Sequence, residues 1–153
     1  TGEITLLTDT ETVEDVTPTW SPAGEHLYYV QEGPGGSRLI EVDVSGARHR
    51  VAVDHMVGEA AFPTISPDGR FALIRSRLEG QFDVLLIDLA TSGATNLTPD
   101  PANDWGAVWS RDGESIAFAS DRDGDMEIYL LELSSGELTQ VTRNESRDWM
   151  PAR

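Results

Sequence analysis

Asp121, Asp123, Asp125 and Glu127 place four carboxylates within seven residues, a density suited to hard cations, which take about six to eight oxygen ligands. The spacing does not suit an EF-hand loop. Such a loop carries its glycine at the sixth position and a bidentate glutamate at the twelfth, whereas here Gly124 stands fourth and strand-forming residues follow at once. A tight turn closed by Asp123-Gly124 accounts for the same residues, so no metal site is expected. His26, His49 and His55 share no spacing that would gather them at one ion. No His-Glu-x-x-His array, Gly-x-Ser-x-Gly elbow or glycine-rich phosphate loop is present. The sequence therefore offers no catalytic group and calls for no cofactor; His55 beside Asp54 and Glu59 reads as a surface histidine.

Binding chemistry is better represented. Trp105 and Trp149 each follow an aspartate, Asp104 and Asp148, at the same place in two segments 44 residues apart. Their counterparts in earlier segments are Val16 and Ala61, so bulk is not demanded at that place. An aromatic beside acids can anchor a partner side chain, and core packing is the alternative. Asp104, Trp105, Asp121, Asp123, Asp125, Asp148 and Trp149 make up the candidate partner-binding set.

These residues must be positioned by repeated elements. Trp20-Ser21-Pro22-Ala23-Gly24 returns as Ile65-Ser66-Pro67-Asp68-Gly69 and as Trp109-Ser110-Arg111-Asp112-Gly113, a period of 44 to 45 residues. Each turn is followed by short runs rich in Val, Ile, Leu, Phe and Tyr and bounded by Gly, Pro, Asp and Ser, which predicts strands and no helix. Four antiparallel strands per unit make a propeller blade, so the expected fold is all-β, with about three blades present, half or part of a ring. The expected boundaries within one array over 1–153 are blade one at 17–53, blade two at 61–98 and blade three at 105–142. The segment 2–8 matches the fourth-strand segments and is expected to close a preceding blade; 148–153 is expected to start a further one.

Trp-Ser-Pro-Asp-Gly, then Ile116-Ala117-Phe118 leading to Ser120-Asp121-Arg122-Asp123-Gly124, then Ile128-Tyr129-Leu130-Leu131 and a Leu-Thr pair resemble the TolB-type β-propeller repeat. The resemblance spans nearly the whole chain. It departs most over 18–52, where Ala23 replaces Asp and Gly33-Pro34-Gly35-Gly36-Ser37 lengthens a hairpin. It implies a bacterial exported protein, periplasmic or extracellular, that recruits partners. Similar blades also cap the hydrolase domain of prolyl-oligopeptidase-like peptidases and occur in tricorn-like proteases, where the propeller would gate substrate while a catalytic domain absent from this sequence did the chemistry.

Propeller rings take about four to eight blades, and an open stack exposes apolar blade faces. The chain is thus expected to be part of a longer ring or to form a homodimer in which two half-rings close a six-bladed one. The net charge is −16, all eleven basic residues are arginine, and there is no cysteine. Such a surface repels nucleic acid, and no apolar run is long enough for a membrane-spanning helix. In a blade meander the interblade loops and the loops between second and third strands emerge on one face, which gathers Glu11, Glu14, Glu32, Glu59, Glu79 and other acids. This acidic loop face is expected to engage a protein or peptide of basic character, without catalysis.

Overall fold

The computed structural model describes residues 2, 4, 6–8, 11–45 and 48–143, and among these it holds strands and no helix. The strands form three four-stranded antiparallel sheets, each a meander in chain order. The first contains β1 (Glu14–Trp20), β2 (His26–Gly33), β3 (Gly36–Asp43) and β4 (His49–Met56). The second contains β5 (Glu59–Ile65), β6 (Phe71–Leu78), β7 (Gln81–Asp88) and β8 (Ala94–Asn96). The third contains β9 (Asp104–Trp109), β10 (Ser115–Ser120), β11 (Glu127–Glu132) and β12 (Leu138–Gln140). Three blades of a propeller are therefore present. Their first strands begin at Glu14, Glu59 and Asp104, slightly ahead of the boundaries at 17, 61 and 105. In the segment 2–8 the described residues Gly2, Ile4, Leu6, Leu7 and Thr8 carry no strand. As a blade's outer strand it would need a third strand to pair with, and among the described residues each third strand is already paired with the fourth strand of its own blade. The segment 148–153 lies outside the described residues.

The recurring turn owes its sequence to hydrogen bonding. In blade two the Ser66 hydroxyl donates to Asp68 Oδ1 (2.6 Å) and accepts from the Phe71 N–H (2.9 Å), while Asp68 Oδ1 also accepts from the Arg70 N–H (3.1 Å). Blade three repeats the set through Ser110, Asp112, Glu114 and Ser115. Gly69 and Gly113 take φ of 73° and 77°, a region that costs a side chain free energy. In blade one Ser21 Oγ still accepts from the His26 N–H (3.0 Å), but Ala23 has no oxygen to complete the pair.

The Leu-Thr pair has an equally local cause. Thr98 Oγ1 accepts from the Val84 N–H (3.0 Å) and Thr142 Oγ1 from the Ile128 N–H (2.9 Å), so a hydroxyl continues the ladder where the outer strand has ended. This lets β8 and β12 stop at three residues. Blade one has Val53 in that place and keeps a backbone ladder instead, with Leu39 opposite Val53 and Ser37 opposite Met56, and β4 runs for eight residues.

Between blades the core is apolar and continuous. Tyr28, Val30 and Leu39 of blade one pack with Ile65, Ala72, Ile74, Leu85 and Ile87 of blade two. Leu73 and Val84 of blade two pack with Trp109, Ile116, Phe118, Tyr129 and Leu131 of blade three. Burying one such side chain is worth about 1.5–3 kcal/mol, so these interfaces dominate the stability of the array. The equivalent face of blade one, Leu27, Tyr29, Ile40 and Val42, forms a smaller cluster with no blade against it among the described residues, although Tyr29, Ile40 and Val42 are buried. There Trp20 is 56% exposed, against 1% for Ile65 and 4% for Trp109 at the same repeat position.

Two outcomes follow from the turns. Ala23→Asp is expected to complete the blade-one turn and stabilise the chain by about 1 kcal/mol, raising Tm by about 2–4 °C in a thermal melt. The Asp68 and Asp112 carboxyls are held below their ordinary value of 3.8, first by the Ser66 and Ser110 hydroxyls and then by backbone N–H groups. Because the folded value is the lower one, their stabilisation is complete above the ordinary value and is lost as pH falls through the depressed value. Melts from about pH 5 down to about pH 2 should show a shallower loss of Tm in a D68N/D112N variant than in the parent.

Candidate functional site

The first strands of the three blades stand side by side, and each breaks register once. The breaks fall between Val16 and Thr19, between Ala61 and Thr64, and between Trp105 and Val108. At each break one residue turns left-handed: Thr17 (φ 50°), Phe62 (φ 54°) and Gly106 (φ 59°). These are β-bulges repeated blade by blade, and two of the three accept the cost of a side chain at positive φ, about 1–3 kcal/mol. They are tied across blades. The Phe62 N–H donates to Thr17 Oγ1 (3.1 Å), Thr64 Oγ1 donates to the Ala107 carbonyl (3.2 Å), and Trp109 Nε1 donates to the Thr64 carbonyl (3.1 Å). Thr17, Pro18, Phe62, Pro63, Gly106 and Ala107 line an open, largely apolar groove of about 420 Å³ along this wall.

The structure places the candidate residues unequally. Asp104 is fully buried. Its Oδ1 accepts from Arg122 Nη2 (3.1 Å), and the Ser120 and Thr98 hydroxyls act on the carboxylate as well. Burial pushes its pKa up, and those bonds together with the Arg122 charge offset part of the rise. Arg122 further reaches Asp100 (3.1 Å), donates from Nε to Ser120 (2.8 Å), and lies over the rings of Tyr129 (4.8 Å) and Phe118 (5.4 Å). Asp104 thus pins the interblade loop to blade three from below the surface, where no partner can reach it.

Asp121 accepts from the Asn103 N–H (2.7 Å) and from Asn103 Nδ2 (2.9 Å), and so clasps the same loop. Asp123 is exposed and accepts from Gln140 Nε2. Asp125 is half-buried. Glu127 is buried and takes the Thr142 hydroxyl proton donor. Among the described residues no three His, Asp or Glu side chains gather where a metal ion could sit. Trp105 is half-buried, packed against Phe82 with ring centroids 4.6 Å apart and with the Arg75 guanidinium 4.7 Å from its ring. It belongs to the packing between blades two and three. Asp148 and Trp149 lie outside the described residues.

Free acids stand elsewhere on the loop side. Glu14 and Glu32 are direct cross-strand partners at the open end of β1 and β2, and with Glu11 they line a shallow concavity of about 580 Å³. None of the three has an ion-pair partner among the described residues, although Arg38 finds Asp54 (2.8 Å) and Arg77 finds Glu59 (3.7 Å) nearby. Like charges directly opposite on two strands are destabilising, and the Arg75 cation acts on Glu32 only from beyond ion-pair distance. Sequence reading placed these acids on the loop face but gave no sign that two of them face each other. Removing Arg122 tests the buried clasp: Arg122→Ala should cost about 3–5 kcal/mol in denaturant melts, with a smaller loss at low pH, where a protonated Asp104 needs no cation.

The sequence matches the family model described as the TolB beta propeller domain over residues 2–152. Among solved structures, TolB from Acinetobacter baumannii is similar with a TM-score of 0.76 and 24% identity, over 90% of this chain and 34% of that one. A puromycin-hydrolyzing peptidase of Mycobacterium tuberculosis is similar at 0.71 and 18% identity, over 88% and 24% of the two chains. The tricorn protease is similar at 0.68 and 16%, over 87% and 13%. At these identities the likeness is one of fold, and this chain spans about a third of the TolB structure and less of the two peptidases. The family match runs through all three blades, and the chain belongs to the TolB beta propeller domain family.

Proposed function

We propose that this chain is part of a noncatalytic propeller scaffold, periplasmic or extracellular, that binds a protein or peptide of basic character through its acidic loop face. The observation that carries the reading is the direct cross-strand opposition of Glu14 and Glu32 beside Glu11, none of them in an ion pair among the described residues. A fold that tolerates repelling carboxylates at a sheet end, in a chain of net charge −16, gains most when a cationic group settles between them. The same charge disfavours nucleic acid, and among the described residues no helix is long and apolar enough to cross a membrane. The exposure of Trp20, 56% against 4% for Trp109 at the same repeat position, fits an array continued by further blades, from the same polypeptide or from a second copy that completes a six-bladed ring.

A second reading is favoured by the peptidase structures that share the fold: the blades would gate substrate entry to a serine-hydrolase domain. In that case the full-length parent protein reacts with a fluorophosphonate probe, and in the scaffold reading it does not.

The scaffold reading is tested by fluorescence anisotropy with a labelled Arg-Leu-Arg-Leu-Arg peptide. Replacing both acids, Glu14→Gln with Glu32→Gln, should weaken binding about tenfold at low salt, with the difference fading in high salt. Thermal stability should hold or rise, by about 0.2–1 kcal/mol for the removed repulsion. Unchanged affinity in that variant would rule out the acidic rim as the docking surface.

A further inference from the structure

Three carboxylates are buried among the described residues, and they are unequally partnered. Asp104 faces the Arg122 guanidinium (3.1 Å), and Glu127 accepts from the Thr142 hydroxyl. Asp83, on β7 at the repeat position of Glu127, is 2% exposed and accepts from Asn96 Nδ2 at its Oδ2 (2.9 Å). Its Oδ1 is closed to solvent and has no hydrogen-bond partner. The surrounding elements bring no counter-charge. On β6 its cross-strand partner Ser76 donates to the Val57 carbonyl of the turn that arrives from blade one. Arg75 and Arg77 of the same strand lie over the Phe82 ring, whose side chain leaves β7 on the face opposite Asp83. At the blade-one edge Asp54 holds Arg38 (2.8 Å) and His55 (3.5 Å), and Glu59 holds Arg77 (3.7 Å). The charges that act on Asp83 are acids, Asp100 in the loop after β8 and Glu79 in the hairpin between β6 and β7. A buried carboxylate in such company is far costlier than the neutral acid. Burial first, and then Asp100 and Glu79, push the Asp83 pKa above the ordinary 3.8, while the Asn96 bond offsets part of the rise.

A short run of contacts leads from Asp83 to the clasp of blade three. Asn96 Oδ1 accepts from the Thr98 N–H (3.0 Å), Thr98 Oγ1 accepts from the Val84 N–H (3.0 Å), and the Thr98 hydroxyl acts on the Asp104 carboxylate. The same loop is held at its far end by Asn103, whose Oδ1 accepts from the Phe82 N–H (3.3 Å) and whose own N–H donates to Asp121 (2.7 Å). We infer that Asp83 is a proton-operated latch for the loop of residues 97–103: with a proton on Asp83 the loop lies fixed between blades two and three, and when that proton leaves, the buried charge loosens it. The latch is independent of ligand binding and stands whether or not the acidic loop face docks a peptide. Because the folded pKa is the higher one, the stabilisation is complete below 3.8 and is lost as pH rises through the folded value. That direction is the reverse of the one at Asp68 and Asp112, whose stabilisation is lost as pH falls.

The test uses the full 153-residue chain labelled with carbon-13 and nitrogen-15, titrated from about pH 3.5 to about pH 8. The Asp83 Cγ signal should titrate with a midpoint above 3.8, and the Thr98 amide and Arg122 Nε–H signals should move with it. Amide hydrogen exchange at Val84 and Thr98, corrected for the intrinsic effect of pH, should speed up across the same midpoint. Asp83→Asn stays neutral and should remove the part of these changes that follows Asp83, leaving only what Asp104 contributes. An Asp83 midpoint at or below 3.8, or Thr98 and Arg122 signals that stay still through the Asp83 titration, overturns the latch. So does an unaltered titration of those two signals in Asp83→Asn, which assigns their movement to Asp104. A second variant, Asn96→Ala, removes the link, and should raise the Asp83 midpoint further while leaving Thr98 still. A Thr98 signal that follows Asp83 in that variant counts against the latch.

Discussion

Each blade of this protein depends on the neighbour that covers its apolar face. Tyr28, Val30 and Leu39 are core only because Ile74, Leu85 and Ile87 meet them, and Leu73 and Val84 only because Phe118 and Leu131 do. A four-stranded meander alone is a thin sheet with two sides in water, and its hydrogen bonds hold its shape without making it stable. Stability is therefore shared between nearest neighbours and runs along the array. Its weak points are the ends, as Trp20 shows by being largely exposed where Trp109 is buried.

What the array positions is a wall of first strands, and the bulges in that wall make it a surface. A regular strand would turn alternate side chains toward the axis and keep its peptide groups in the ladder. Thr17, Phe62 and Gly106 interrupt that alternation at the same height in three blades, and the interblade bonds from Phe62 to Thr17 and from Thr64 to Ala107 fix the interruptions relative to one another. Only the side chains at the bulge differ, from a hydroxyl to an aromatic to nothing, so the chemistry of the groove varies from blade to blade on a constant backbone.

The fold was legible in the sequence because its rules are local. Ser66 with Asp68, Ser110 with Asp112, and the threonines at 98 and 142 act within a few residues of themselves or on the adjacent strand, and a period of 44 to 45 residues exposed them together. The candidate site was less legible because burial is decided between blades. Asp104 shares its repeat position with Asp15, yet Arg122, two residues past Ser120, draws Asp104 into the core and turns a docking candidate into a clasp. Trp105 was ambiguous for the same reason, and its ring is half-buried against Phe82 of the neighbouring blade. Arg75 carried a signal that went unread: it shares strand parity with Phe71 and Leu73, which packs against blade three, so its side chain had to enter the interface.

The threonine that ends the outer strand early also bears on solubility. A free strand edge is a template for another chain, and its danger grows with its length. Blades two and three expose outer edges of three residues, too brief to hold a foreign strand in register. Blade one, lacking the hydroxyl, presents an eight-residue edge with Val51 47% exposed, and guards it with Arg50 and Asp54. The hydrogen bond from a main-chain N–H to Thr98 or Thr142 thus serves as a defence against edge-to-edge aggregation, and the first blade replaces that defence with charge.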